Sequence, residues 1–280
     1  MDPRLNLTRP AEVRAHLRSI GFSPSKSMGQ NFLIDAHMRD LILDASEVGP
    51  EDHVIEVGPG LGVMTEGLLD RAASVLAIEL DARLVEHLRQ HFGPHPTLEL
   101  RHQDATRTDW PLELERHRPR PVRMVSNLPY SVGSRVLYDL AAETTRPRSI
   151  TVMVQSDVAD RLLADPGSAA YGLLTVRMAW AYAIKRVRNV PGPCFLPPPR
   201  VGSTVVHFQR REKPLCALND PARFEALVKF AFTRRRKQLA KILRDFQAED
   251  SGSGLDLTRR PETLAPEEWA GLTNALSANK

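Results

Sequence analysis

Thiols are scarce in this chain. Cys194 and Cys216 are its only cysteines in 280 residues, they lack a Cys-x-x-Cys spacing, and no histidine cluster accompanies them. Neither a disulfide framework nor a zinc site is indicated, and a reduced cytoplasmic setting is expected. A long apolar run is missing too. Met1–Ile20 is interrupted by Asp2, Arg4, Arg9, Glu12, Arg14 and Arg18, which leaves nothing suited to a signal peptide or a membrane span, so a soluble chain with no membrane partner is expected. Internal repeats and long low-complexity tracts are absent, which argues against a solenoid. Charge of one sign is not in large excess either: 38 Lys and Arg stand against 34 Asp and Glu, a net +4 that by itself names no partner. No oligomer signal is present, and a monomer is the default expectation.

The distribution of charge says more than its sum. Basic residues gather at Arg210, Arg211 and Lys213 and again at Arg234-Arg235-Arg236-Lys237, while Glu56, Glu79, Asp81 and Asp104 lie mid-chain. An acidic pocket beside a basic rim suits a polyanionic partner. From about residue 50 to 160, short β-branched runs alternate with helical spacing, the pattern of a parallel sheet covered by helices. Strands are predicted at His53–Val57, Ser74–Glu79, Thr97–His102, Pro121–Ser126 and Ser149–Val154, with helices over Gly62–Arg71, Asp81–His91 and Gly133–Glu143 and Asp81 as an N-cap. A helix over Gly172–Ala183 and strands Ile184–Val190 and Ser203–Arg210, split by the Pro197-Pro198-Pro199 bend, predict an antiparallel addition at one sheet edge. Helical spacing then runs through Ala222–Phe232, Lys237–Phe246 and Pro266–Ala278, with Ser251–Gly254 as a flexible connection. The expectation is an α/β, Rossmann-like domain over 1–213, with a mostly parallel seven-stranded sheet and helices on both faces, and a small all-helical domain over 214–280.

Three predicted strand ends converge on one ligand. Val54–Gly62 runs from strand through a glycine-rich turn into a helix, bringing backbone close to a nucleotide-like molecule at Gly58 and Gly60. Glu79, about twenty residues past the glycines, can accept hydrogen bonds from both ribose hydroxyls, and Asp104 can accept one from an adenine amino group. Dinucleotide enzymes share the glycines and the acid, and Asp104 also reads as a turn residue. Against a dinucleotide, Pro59 removes an amide donor from the loop and Glu56 would repel a pyrophosphate. Glu56 suits the sulfonium and amino group of S-adenosylmethionine, although an acid buried by helix-end amides reads equally well.

The most specific signal is Asn127-Leu128-Pro129-Tyr130 at the fourth predicted strand end. The exocyclic nitrogen of adenine is a poor nucleophile because its lone pair is delocalised into the ring. An Asn oxygen and a neighbouring backbone carbonyl can each hold one of its hydrogens and drive it toward tetrahedral geometry, with Pro129 fixing the turn. Tyr130 offers a face on which a flipped base can stack. A strand-terminating Asn-x-Pro turn packed by the tyrosine is the bland alternative.

With these pieces in order, the chain resembles the rRNA adenine N6-dimethyltransferase family, and within it most closely the small-subunit (16S) type. The resemblance spans nearly the whole chain. It rests on Gly29-Gln30-Asn31-Phe32-Leu33, the Glu56–Gly62 loop, Ile78-Glu79-Leu80-Asp81, Gln103-Asp104-Ala105, Asn127–Tyr130, Pro197-Pro198-Pro199-Arg200-Val201 and Arg235-Arg236-Lys237. It implies methyl transfer from S-adenosylmethionine to the N6 amines of two adjacent adenosines in the 3′-terminal hairpin loop of 16S rRNA, within an immature small subunit. It further implies that Asn31 and Leu33 meet the methionine end of the cofactor, that Gly58 lies against it, and that Glu79, Asp104 and Ala105 hold ribose and adenine. Asn127 would touch cofactor and target amine together. Phe195 would sandwich the target base opposite Tyr130, though simple core packing also accounts for an aromatic there. Where the family commonly has Gly or Ala before the Asn, this chain has Ser126. The 1–50 segment would contact cofactor and RNA, with Arg14, Arg18 and Lys26 as weaker members of the basic rim. Arg234, Arg235, Arg236 and Lys237, continued by Lys241 and Arg244, would meet RNA phosphates, although a charge run is also an ordinary solvated surface. A large-subunit rRNA adenine methyltransferase, or an assembly factor with little catalysis, is the competing reading.

Overall fold

The computed structural model describes residues 5–25, 29–117, 119–142 and 146–278; Lys26 and Glu143 lie outside the described residues. The chain opens with α1 (Pro10–Ser19), β1 (Phe32–Leu33) and α2 (Ala36–Ser46). It then alternates through β2 (His53–Val57), α3 (Val63–Leu69), β3 (Ser74–Glu79), α4 (Ala82–Phe92), β4 (Leu98–His102), α5 (Trp110–Arg116), β5 (Val122–Asn127), α6 (Gly133–Ala142), β6 (Ser149–Gln155) and α7 (Ser156–Leu162). Next come α8 (Leu173–Ala181), β7 (Tyr182–Val190), β8 (Phe195–Leu196) and β9 (Ser203–Arg210), and last α9 (Pro221–Phe232), α10 (Leu239–Asp245), β10 (Ala248–Asp250), α11 (Pro266–Asn274) and β11 (Leu276–Ala278).

Helix starts follow from short polar side chains. Asp35, Asp81, Asp109 and Asp220 each accept the backbone amide of a residue in the first turn of the helix that follows, and a proline opens the helices after Asp109 and Asp220. Seven strands make one sheet in the order β4-β3-β2-β5-β6-β9-β7, the mostly parallel sheet expected. The run from β4 to β6 is parallel, and β9 returns antiparallel against β6. Every residue of β2 is buried, which is why its sequence shows no alternation, whereas edge strand β4 carries exposed Glu99 and His102.

The ladder between β2 and β5 ends at Ile55 and Met124, short of the ends of both strands. Beyond it the Ser126 hydroxyl donates to the Val57 carbonyl, a bond that a Gly or Ala at this position could not make. This is where strand order reverses, and a crevice opens at the carboxyl ends.

Contacts cluster the chain into two compact units, Met1–Ala159 with Lys185–Gln209, and Asp160–Ile184 with Arg210–Lys280. In the first, α1 and Phe22 join the core beside Phe32, Leu33, Ile42 and Phe195, and β1 pairs antiparallel with β8 (Phe32 with Leu196, Leu33 with Phe195). In the second, α8, α9 and α11 pack on one another around Phe224, Leu227 and Trp269, and the Tyr171 hydroxyl donates to the Leu264 carbonyl at 2.6 Å.

Two expectations for the C-terminal region need correction. The helix expected through Ala278 stops at Asn274, and β11 instead pairs antiparallel with β10. Leu276 and Ala248 are both buried there, so the region is not wholly helical. The Ser251–Gly254 connection is a tied turn, because Asp250 Oδ1 accepts the amides of Gly252 at 3.1 Å and Ser253 at 2.7 Å.

Candidate active site

A cavity of about 300 Å³ lies at the carboxyl ends of β2, β3, β4 and β5, walled by Gly29–Leu33, the Glu56–Leu61 loop, Glu79, Gln103–Ala105 and Asn127–Val132. The loop passes close to its neighbours. A Cβ on Gly58, at φ +70°, would lie 2.5 Å from Pro129 Cγ, and one on Gly60, at φ +60°, would lie 3.0 Å from the Phe32 ring. Glycine is required there for conformation and for space.

Three acids line this cavity. Glu79 Oε1 accepts the amides of Leu80 at 2.8 Å and Asp81 at 2.9 Å, and Oε2 accepts Gly60 N–H at 3.2 Å. Strand end and glycine loop are thus braced on one carboxylate with a lone pair to spare on Oε2. Burial raises its pKa, opposed by those backbone bonds. Asp104 Oδ1 is spent on the Thr106 amide (2.9 Å) and hydroxyl (2.7 Å), which hold the carboxyl below its ordinary range, while Oδ2 lies 3.8 Å from Arg107 Nε, beyond hydrogen-bond distance. Asp104 therefore caps a turn and lines the site, joining the two readings of the sequence; buried Ala105 follows it on the wall. Glu56 is 1% exposed, accepts the Thr65 hydroxyl at 2.6 Å, and is pushed up to about 8, chiefly by burial. It is held by a hydroxyl, not by helix-end amides, and burial favours its neutral form near pH 7.

Asn127 closes β5. Its Nδ2 donates to the Asn31 carbonyl at 3.1 Å, which leaves Oδ1 as an unspent acceptor. The Pro129 carbonyl is taken by the amides of Val132 (3.1 Å) and Gly133 (3.0 Å), so Leu128 supplies the nearest remaining carbonyl. Tyr130 is fixed by a hydrogen bond between its hydroxyl and Ser203, and burial raises its pKa. It also borders a second cavity, of about 510 Å³, formed with Gly29–Asn31, Ser131, Gln155 and Pro197–Val201. The two cavities share Asn31 and Tyr130 as a common wall.

The structure thus brings Asn31, Leu33, Gly58, Gly60, Glu79, Asp104, Ala105 and Asn127–Tyr130 together. Phe195 is the exception: it is 1% exposed, is paired to Leu33 across the β1 and β8 ladder, and lines neither cavity. Its ring fills core volume, so a base sandwich with Tyr130 is not formed in this conformation.

In the second unit, Arg234–Lys237 makes the turn between α9 and α10. Arg235 is spent internally, donating to the carbonyls of Ala169 and Ser168 at 2.9 Å each. Arg234 lies over the Phe230 ring at 3.7 Å from its centroid, and Arg234, Arg236 and Lys237 are exposed. Arg14 and Arg18, on α1, are exposed too. Sequence reasoning missed Ser203, Gln155 and Thr65, whose one signal was a polar residue at a strand end or one helical turn past the glycines. Among the described residues there is no group of three or more metal-ligating side chains and no helix long and apolar enough to cross a membrane.

A model of the ribosomal RNA adenine dimethylase family matches residues 21–275. The ribosomal RNA small subunit methyltransferase A of Shouchella clausii is 36% identical over 99% of this chain and 97% of its own length. Its counterpart from Alkaliphilus oremlandii is 36% identical over 97% and 98%. Among solved structures, the 23S rRNA methyltransferase ErmE superposes with a TM-score of 0.65 at 28% identity, covering 88% of this chain and 99% of that one. A dimethyladenosine transferase from Plasmodium falciparum superposes with a TM-score of 0.71 at 22% identity, covering 85% and 94%.

Proposed function

The chain belongs to the ribosomal RNA adenine dimethylase family, and from that premise we propose a division of labour between the two cavities of its first unit. The enzyme is an S-adenosylmethionine-dependent dimethyltransferase of adenine in small-subunit rRNA. The first cavity takes the methyl donor and the second the target base. The residues present fit this donor: glycines leave room where a Cβ would intrude, Glu79 Oε2 and Asp104 Oδ2 keep lone pairs for ribose and adenine, and buried Glu56 can ionise opposite a cation. S-adenosylmethionine, when bound, supplies an electrophilic methyl group on a sulfonium.

The observation that carries the reading is Asn127. Its nitrogen is pinned to the Asn31 carbonyl, so Oδ1 and the Leu128 carbonyl, on the wall of the first cavity, are the acceptors for the two amine hydrogens, beside Asn31 and Tyr130, which both cavities share. Holding both hydrogens localises the nitrogen lone pair toward the methyl. The methylated amine is briefly cationic and passes its proton to solvent, so no general base is required of the loop. Tyr130, locked through Ser203, presents its ring to the base.

The finer assignment is two adjacent adenosines in the 3′-terminal hairpin loop of 16S rRNA, methylated in the cytoplasm by a monomer acting on an immature small subunit. Residues 214–280 serve as the RNA-binding domain in this reading, through exposed Arg234, Arg236 and Lys237. The test is incubation with radiolabelled S-adenosylmethionine and undermethylated small subunits, large subunits or naked rRNA, followed by mapping of N6-dimethyladenosine. Label confined to large-subunit RNA would overturn the assignment.

A further inference from the structure

Gln155 is an uncharged hydrogen-bonding side chain lining the second cavity that the mechanism leaves unused. Gln155 is the last residue of β6 and the register partner of Ser203 on β9, while Asn127 is the partner of Met153 two positions earlier on β6. Registered partners share a face of the sheet, as do alternate residues of a strand. Asn127, Gln155 and Ser203 therefore lie on one face at its carboxyl end, with Gln155 about 7 Å further along the strand direction than Asn127. Ser203 is the residue that anchors the Tyr130 hydroxyl, so Gln155 stands beside the stacking platform.

Elimination singles out its amide. Gln30 accepts Ser25 N–H and donates to Asp81, Asn31 Nδ2 donates to the Gly29 carbonyl, Tyr130 is held by Ser203, and Ser131 has a partner of its own. Arg200, on the same wall, is an exposed cation suited to a phosphate. The half-buried Gln155 amide has no hydrogen-bond partner among the described residues and faces this cavity.

An adenine whose two amine hydrogens are held by Asn127 and Leu128 still has a ring acceptor on each side of the amine, N1 and N7. Both lose water when the base enters a cavity, and an unmatched acceptor is costly. A primary amide offers two donors without a charge. We propose that Gln155 donates an N–H to one of these flanking ring nitrogens and so determines specificity for the adenine ring; the inference rests on the second cavity being the target-base site.

The test uses small-subunit RNA whose target adenosines are replaced by 1-deazaadenosine or 7-deazaadenosine, with the wild-type chain, Gln155→Ala and the near-isosteric, acceptor-only Gln155→Glu. The wild type is expected to lose roughly tenfold in kcat/KM on one analogue. Both variants should lose about as much on adenosine, and Gln155→Ala should show no further loss on that analogue, with S-adenosylmethionine affinity unchanged throughout. A Gln155→Ala enzyme with wild-type kcat/KM on adenosine, or with undiminished sensitivity to the analogues, overturns the proposal, as does a wild type indifferent to both. A wild type that leaves adenosine itself unmethylated sinks the underlying site reading instead.

Discussion

Replacing Gly58 by alanine separates backbone strain from site geometry. The residue sits at φ +70°, where an L side chain costs roughly 1–2 kcal/mol, and the new Cβ would lie 2.5 Å from Cγ and 2.8 Å from Cδ of Pro129. Carbon atoms in contact settle about 3.5–4.0 Å apart, so the proline ring has to recede by about 1 Å and take the Asn127 turn with it. A displacement of that size at reacting groups costs roughly 100-fold in rate. Gly21→Ala is the internal standard, because Gly21 has φ +62° and nothing within 4 Å of its Cβ position. Both variants should lose the increment set by the positive φ, roughly 2–8 °C in Tm, with a further loss in Gly58→Ala from the displaced Pro129, read by thermal unfolding. Only Gly58→Ala should lose about 100-fold in kcat, read as methyl incorporation under saturating RNA and donor. Equal kcat in the two proteins would refute the reasoning.

Asn127→Ala removes the acceptor oxygen but not the donor pocket, so methyl transfer should vanish while calorimetric S-adenosylmethionine binding largely survives; normal turnover would dispose of the assigned role. Because burial keeps Glu56 protonated up to about pH 8 while an unfolded chain ionises it near 4.5, the native state binds the extra proton between those values, and this group's contribution to stability is full below the lower value and lost as pH rises through the upper. A bound sulfonium favours the ionised form, so affinity should tighten by up to about tenfold per pH unit on approaching 8 from below. S-adenosylhomocysteine, which lacks the positive sulfur, should tighten less, and Glu56→Gln should erase the difference; an equal pH slope in wild type and Glu56→Gln would contradict the burial argument. Replacing Arg234, Arg236 and Lys237 together by Ala should lower the salt slope of RNA binding by about 2–3, measured by filter binding. Arg235→Ala should instead lower Tm, since its guanidinium holds the Ala169 and Ser168 carbonyls; a lower slope with unchanged Tm would reverse those roles.

Much of the parallel sheet was legible because most of its strands, though not β4, are short runs rich in β-branched residues that stop at a turn signal. His53–Val57, Ser74–Glu79 and Ser203–Arg210 fall where they were expected. Periodicity failed where the partner lies far away in sequence. The two-residue strands β1 and β8 have no pattern of their own, and Leu276 continues the spacing of Leu272 well enough to pass as helix although it faces a strand partner. Helix α8 precedes β7, β8 and β9 in sequence, yet packs with α9 and α11, a grouping that no local pattern encodes. Strand-end chemistry was readable because acids and glycines recur at a fixed topological place. Phe195 was not, since an aromatic before a bend reads alike whether it faces a ligand or the core. Nor could a run of four cations show that Arg235 turns inward.

The two-residue pairing of β1 with β8 carries an evolutionary consequence. Leu33, on the donor cavity wall, and Phe195, in the core, meet in one register, and a slip by a single residue would turn both side chains to the opposite face. Insertions or deletions within 29–35 or 194–201 should therefore be purged even where substitutions are tolerated. Chain length at these two distant segments is selected jointly, as though they were a single loop.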